Sequence, residues 1–179
     1  MTLDRFAYLE AEQLGPEELT ILRTVPKRWG RMDRLSRLAI VEVGRALIDA
    51  GLRRPGVVSQ ESLSRTGLVA ATRRGSLATD LAYAKTMDQG LGLASPLLFS
   101  YTLANIALAE AASHFGIKGP VYALYSEKSP LTAARREAER WLKTDRDIAV
   151  MVAGEIDCYW GDGALLSVAD FVVLRNDEK

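Results

Sequence analysis

Two of the side chains most used in protein chemistry are nearly absent from this sequence. Its 179 residues include one histidine, His114, and one cysteine, Cys158. A lone histidine leaves a single imidazole for general-base work near neutral pH, and it argues against a histidine-rich metal site. A lone cysteine excludes an intramolecular disulfide and any multi-cysteine zinc centre. Four acids, Asp145, Asp147, Glu155 and Asp157, flank the apolar run Ile148–Ala153 and invite a metal reading. Two sit at the entrance of the expected strand and two at its exit, at least seven extended residues apart. That spacing separates the pairs by more than about 20 Å, too far for one site. Residues Thr72, Arg73, Arg74, Gly75 and Ser76 follow an apolar stretch, where a glycine and a hydroxyl at a helix start can hold a phosphate. Without G-x-G-x-x-G or Walker spacing, an ordinary strand-to-helix turn is the expected reading. His114 falls in the last turn of a predicted helix, where a protonated imidazole favours the helix dipole. No metal and no cofactor is expected.

The elements that position these groups follow from hydrophobic period and punctuation. Leu35, Leu38, Ala39, Val43, Ala46, Leu47 and Ala50 recur at offsets of three and four, which predicts a helix from the N-cap Asp33 to the C′ glycine Gly51. Residues 52–66 read as loop. Gly67–Ala71 reads as a buried strand and 77–88 as a helix closed by Gly90 and Gly92. Ser95 and Pro96 open another helix, with Leu103, Ile106, Ala107, Glu110, Ala111 and His114 on one face, ended by Gly116. After the turn Lys118–Pro120 come a strand over Val121–Tyr125 and a helix from Ser129 and Pro130 to Lys143. Ile148–Ala153 predicts a strand buried on both faces. Gly161 and Gly163 are breakers, and Ala164–Leu174 holds one or two more strands. The first thirty residues read as irregular, with a short helix from Pro16 to Arg23 and Trp29 as a packing anchor. The alternation of helix and strand predicts an α/β layered fold, divided into an N-terminal segment over 1–30 and a main domain over 31–179.

Composition excludes several function classes. With 23 basic and 23 acidic side chains the net charge is zero, so no nucleic-acid face is indicated. Met1–Glu10 lacks the basic start and continuous apolar stretch of a signal peptide. The longest apolar candidate, Pro96–Ala112, is broken by Ser100, Thr102, Asn105 and Glu110, so no membrane span is expected. A cytoplasmic location is the expectation.

Several segments, taken in order, resemble the β-ketoacyl synthases. Arg31–Ser36 with the helix ending Ala46–Gly51 resembles an early helix of that family. Phe115–Pro120 is similar to its FG-x-x-GP turn, Asn105 to the asparagine of its PN pair, and Ala149–Gly154 to the strand after its active-site helix. The resemblance runs from about Arg31 to Asp157. It implies the N-terminal half of a thiolase-like fold, in which two βαβαβαββ halves pack as an α-β-α-β-α sandwich, although the usual opening strand is poorly represented. It also implies that Val121, Tyr122, Ala123, Leu124 and Tyr125 form the strand that pairs across a dimer two-fold. In the family a nucleophilic cysteine begins the helix after this strand, where the helix N-terminus lowers the thiol pKa. Counting from Gly119 and Pro120 puts that position at Lys128; counting back from Val152–Gly154 puts it at Ser129. Neither is cysteine, Cys158 lies past the later strand, and His114 matches none of the family's histidine motifs. The second half, which carries those histidines, is not expected in this sequence.

Read by themselves, Ser129 is an N-cap before Pro130 rather than a nucleophile, since serine is weak without a base and no G-x-S-x-G elbow exists. Lys128, beside Glu127, reads as solvated rather than as a Schiff-base lysine. The resemblance therefore implies a non-catalytic, structural or regulatory partner in fatty-acid or polyketide-type synthesis. It would form a homodimer, or a heterodimer with a full-length synthase, and could meet an acyl carrier protein. Two alternatives stay open. One is an acyltransferase of the 3-oxoacyl synthase type, completed in trans by a partner chain. The other is an interaction module that keeps half of the fold without acyl chemistry. In each case something must cover an exposed sheet face, and Phe6, Tyr8, Leu9, Leu14, Leu19, Ile21, Leu22 and Trp29 supply apolar groups for that.

Overall fold

The computed structural model describes residues 6–9, 14–54, 63–88 and 90–176. The elements in chain order are α1 (Pro16–Leu22), α2 (Arg34–Asp49), β1 (Thr66–Thr72), α3 (Leu77–Thr86), α4 (Pro96–Phe99), α5 (Ala104–Phe115), β2 (Val121–Tyr125), α6 (Pro130–Thr144), β3 (Val150–Gly161) and β4 (Ala164–Arg175). The strands form one sheet in the order β2-β1-β3-β4. β1 runs parallel to both neighbours, and β3 and β4 form an antiparallel hairpin. The crossover from β1 to β2 moves one way across the sheet, and that from β2 to β3 moves back past β1. Crossovers of one hand that reverse direction place their helices on opposite faces. Accordingly α5 packs with α2 on one face and α6 covers the other.

Local chemistry explains most boundaries. Asp33 Oδ1 accepts the Ser36 N–H at 2.9 Å, so it caps α2, and Gly51 takes the left-handed φ of 69° just beyond the helix. α2 is buried nearly all round. One side lies on the sheet, and the other lies under the N-terminal segment, where Ile21 and the Phe115 ring sit over Gly44. The apolar groups of that segment therefore pack on the outside of α2 and not on a sheet face; Tyr8 makes the same contact through its hydroxyl, which donates to Glu42 at 3.0 Å.

Two expected elements differ, and a third is settled between its alternatives. The helix anticipated from Pro96 to Gly116 is two helices, α4 and α5. After the last helical bond, Ser100 N–H to Pro96 O, the chain tightens to Tyr101 N–H on Leu98 O and Thr102 N–H on Phe99 O, and Thr102 O accepts from Ser76 Oγ at 2.8 Å. β3 does not end at Ala153 but runs to Gly161. Past Ala153 its pattern changes from continuous to alternating, with Ile156 and Cys158 on the α2 face and Glu155, Asp157 and Tyr159 on the other. Ala164–Leu174 lies in one strand. Asp162 and Gly163, at φ 50° and 77°, supply the two left-handed residues of a tight hairpin turn. The predicted loop over 52–66 falls partly outside the described residues.

Candidate functional site

In open α/β sheets ligands bind outside the carboxyl ends of the strands. At that end of β1 and β3 lies a cleft of about 200 Å³ lined by Arg73, Arg74, Pro130, Glu155, Asp157 and Tyr159. Pro130 is the first residue of α6, so Lys128 and Ser129 stand at this cleft's helix. Both are exposed. Ser129 occupies the N-cap position, but its hydroxyl makes no capping bond; only its carbonyl is used, by Ala133 N at 3.0 Å. The position expected for Ser129 is therefore right and the capping bond is not. Wider clefts of about 390 and 420 Å³ flank the Arg28–Glu110 ion pair (2.9 Å) beside α5. Neither includes a residue of α6.

The turn after β1 does bind an anion, and the anion is the chain's own. Asp157 Oδ1 accepts the N–H groups of Gly75 (2.6 Å), Arg74 (2.8 Å) and Arg73 (3.1 Å). This fills the seat that a phosphate would need, and Gly75 permits it with a φ of 54°. Cys158 N donates to Gly75 O at 2.8 Å, so the turn and β3 are tied twice. Arg74 then lies over the Tyr159 ring at 5.0 Å. Nothing local in the sequence points to Asp157 as this partner, because it lies more than eighty residues from the turn it holds.

The lone histidine and cysteine are elsewhere. α5 ends at the amino end of β2, whereas Ser129 follows its carboxyl end, so a five-residue strand of roughly 16 Å separates His114 from Ser129. His114 Nε2–H donates to Leu22 O at 3.1 Å. Burial pushes its pKa below the ordinary value, against the partial support of that bond. His114 thus stands in the last turn of α5, as expected, with its ring bonded to Leu22 O. Cys158 lies within β3, not beyond it, on the sheet face away from α6. Burial pushes its thiol up to about 11, the opposite of what a nucleophile needs. Among the described residues no group of three or more His, Cys, Asp or Glu is placed to hold a metal ion, and no helix is long and apolar enough to cross a membrane.

β2 is an edge strand whose only described pairing is with β1. Val121 and Ala123 face the α2–α5 layer, while Tyr122 and Leu124 face α6. The Tyr122 hydroxyl donates to Glu137 and accepts from Trp141 Nε1 at 2.7 Å. Asn105, in the first turn of α5, reaches the strand, and its Oδ1 accepts the Ala123 N–H at 2.5 Å. Tyr125 is 71% exposed.

Residues 17–179 match the family described as beta-ketoacyl synthase, N-terminal domain. The chain belongs to this family. Solved ketosynthases share its fold. The ishigamide ketosynthase/chain length factor superposes with a TM-score of 0.66 at 18% identity, covering 85% of this chain and 46% of that one. A beta-ketoacyl synthase from Burkholderia phymatum STM815 gives 0.61 at 20% identity, covering 76% and 33%. Ketosynthase twelve of the bacillaene polyketide synthase in Bacillus amyloliquefaciens gives 0.58 at 16%, covering 84% and 25%. The chain spans less than half the length of each of these structures. No curated protein sequence matches it. The thiolase-like ketosynthase fold is thus established, and the chemistry at its α6 has to be argued from the residues found there.

Proposed function

We propose that this β-ketoacyl synthase domain is a non-catalytic partner in fatty-acid or polyketide-type synthesis, acting through assembly with another chain. The observation that carries this reading is the start of α6. Where the family places its cysteine, this chain has exposed Lys128 and Ser129, with its imidazole at the opposite end of the sheet and its thiol on the opposite face. A serine without a base is a poor nucleophile, and Lys128 faces solvent at the helix start. The outer face of α6 supports a role through surface contacts. Thr132, Arg135, Arg136, Glu139, Arg140 and Lys143 are exposed there, while only Pro130, Ala134, Ala138 and Leu142 are buried. A helix packed between two sheets would be apolar all round.

The partner surface in this reading is the β2 edge, Val121–Tyr125, meeting the same strand of a second copy or of a full-length synthase. An unpaired edge is a template for another strand, and pairing also protects it. The test is acyl loading. The purified chain is incubated with acyl-CoA and acyl carrier protein thioesters, alone and with a full-length ketosynthase, and its intact mass is recorded. No retained acyl group and co-elution with the synthase are expected. An acyl adduct on Ser129 or Lys128 in the presence of the synthase would overturn the reading in favour of an acyltransferase completed in trans.

A further inference from the structure

The bond from Ala123 to Asn105 has a particular place on the β2 edge. Leu68 N–H donates to Pro120 O, and Ser126 N–H donates to Thr72 O. The main-chain groups of 120 and 126 therefore face β1. Because these groups alternate along a strand, those of 122 and 124 also face β1, while those of 121, 123 and 125 point away from the sheet. Ala123 is the middle of the three outward positions. A second β2 strand running antiparallel about a two-fold at Ala123 would pair Ala123 with its own copy and Val121 with Tyr125. The outward groups of this strand are thus self-complementary, and the reciprocal Ala123 pair is their centre. That central donor is the one Asn105 Oδ1 already holds.

We propose that Asn105 gates this edge: with its side chain on Ala123 N–H the strand cannot complete the symmetric ladder with a second copy, and it must release before β2 pairs. This rests on the reading of β2 as the assembly strand. The physical basis is simple. The outward N–H of an edge strand seeks an acceptor, and a side-chain carbonyl from the first turn of α5 supplies one within the same chain. Each pairing event breaks one such bond in each copy and replaces them with the two bonds of the reciprocal pair. The gate therefore weakens association without blocking it. It also closes the centre of the edge against strands in other registers that need the same donor.

The experiment is sedimentation velocity over a concentration series on the full chain, with three variants, and hydrogen exchange at the Ala123 amide. Asn105→Ala removes the intramolecular acceptor, and tighter dimerisation by about tenfold is expected from two released bonds of ordinary net strength. Asn105→Asp keeps an oxygen at the same place as a stronger, charge-assisted acceptor and should associate no more tightly than the wild type. Diluted to monomer, Asn105→Ala should lose exchange protection at Ala123 while the wild type keeps it. Ala123→Pro removes the outward donor and spares the β1 ladder, since proline is tolerated where the N–H faces away from the neighbour; it should not dimerise. If Asn105→Ala associates no more tightly than wild type while Ala123→Pro stays monomeric, the gate is refuted and the β2 assembly stands. If Ala123→Pro dimerises as well as wild type, or no variant dimerises at any concentration, the β2 reading fails and the gate with it. Circular dichroism and urea midpoints confirm that each variant is folded.

Discussion

At the scale of single residues, one carboxylate in the cleft beside α6 is taken up by the backbone. Asp157, 5% exposed, holds three consecutive N–H groups of the turn after β1. Removing the carboxylate leaves the buried Gly75 N–H without its acceptor, at about 1–3 kcal/mol, and takes the partner from the part-buried Arg73 and Arg74 N–H groups as well. Asp157→Ala should therefore lower unfolding free energy by about 3 kcal/mol in urea titration; a loss below about 1 kcal/mol would mean that water replaces the carboxylate there. His114 gives a pH prediction. Its folded pKa lies below the ordinary histidine value, chiefly because of burial. The unfolded chain then takes up a proton near pH 6.5 while the folded chain resists, so stability rises with pH. The contribution is complete above pH 6.5 and is lost as the pH falls towards the folded value. The urea midpoint should drop between pH 7 and 5, and His114→Gln, which can still donate to Leu22 O, should flatten that slope. An unchanged slope would refute the assignment. Glu137, held down to about 2 by its bonds from Arg140 and Tyr122, titrates below this window.

At the scale of elements, what could be read in advance was whatever local pattern determines. The cap at Asp33, the apolar spacing of α2, the terminating Gly116 and the five residues of β2 are all local signals, and each element is found there. The misread boundaries depended on distant partners. Thr102, between α4 and α5, gives its carbonyl to Ser76, 26 residues earlier. The second half of β3 is held by β4 and by the 73–75 turn, while its own alternating pattern is weak. The start of α6 was legible as a helix start and as a site lacking cysteine. The filling of the neighbouring turn by Asp157 was not, because its bonds join residues far apart in the chain. Gly154 shows how tightly the β3–β4 hairpin closes. A Cβ at that position would sit 2.5 Å from Asp170 O and inside the edge of the Phe171 ring. Gly154→Ala should cost about 1–3 kcal/mol. The double variant Gly154→Ala, Phe171→Ala should not recover it, since the backbone oxygen remains. Thermal unfolding of the three proteins measures this, and full recovery by the double variant would place the clash in the ring alone.

At the scale of the whole molecule, the sheet joins two apolar layers that share no helices. One is built on α2 and α5 with Leu38, Ile40, Leu47 and Leu108. The other is built on α6 with Ala134, Ala138 and Leu142 against Met151 and Ala153. β1 lies between them and is buried along all seven residues, alternating Leu68 and Ala70 towards one layer with Val69 and Ala71 towards the other. Each layer thus uses the same strand, so neither can lose its packing without exposing the back of the other. With its sheet covered on both faces, and with α6 turning a charged side outwards, this ketosynthase domain should unfold in one cooperative step. The tryptophans report on the layers separately: Trp29 is buried in the α2 layer and Trp141 packs in the α6 layer. Variants retaining only one of these two fluorophores, with Trp160 replaced, should give the same urea midpoint, coincident with far-UV circular dichroism. Leu38→Ala and Leu142→Ala lie in opposite layers. Each should shift all three probes together, the fully buried Leu38 by about 2–5 kcal/mol and the slightly exposed Leu142 by less. Separate midpoints for the two tryptophans would show that α6 detaches first, and the domain would then be an incomplete fold that needs a partner on that face.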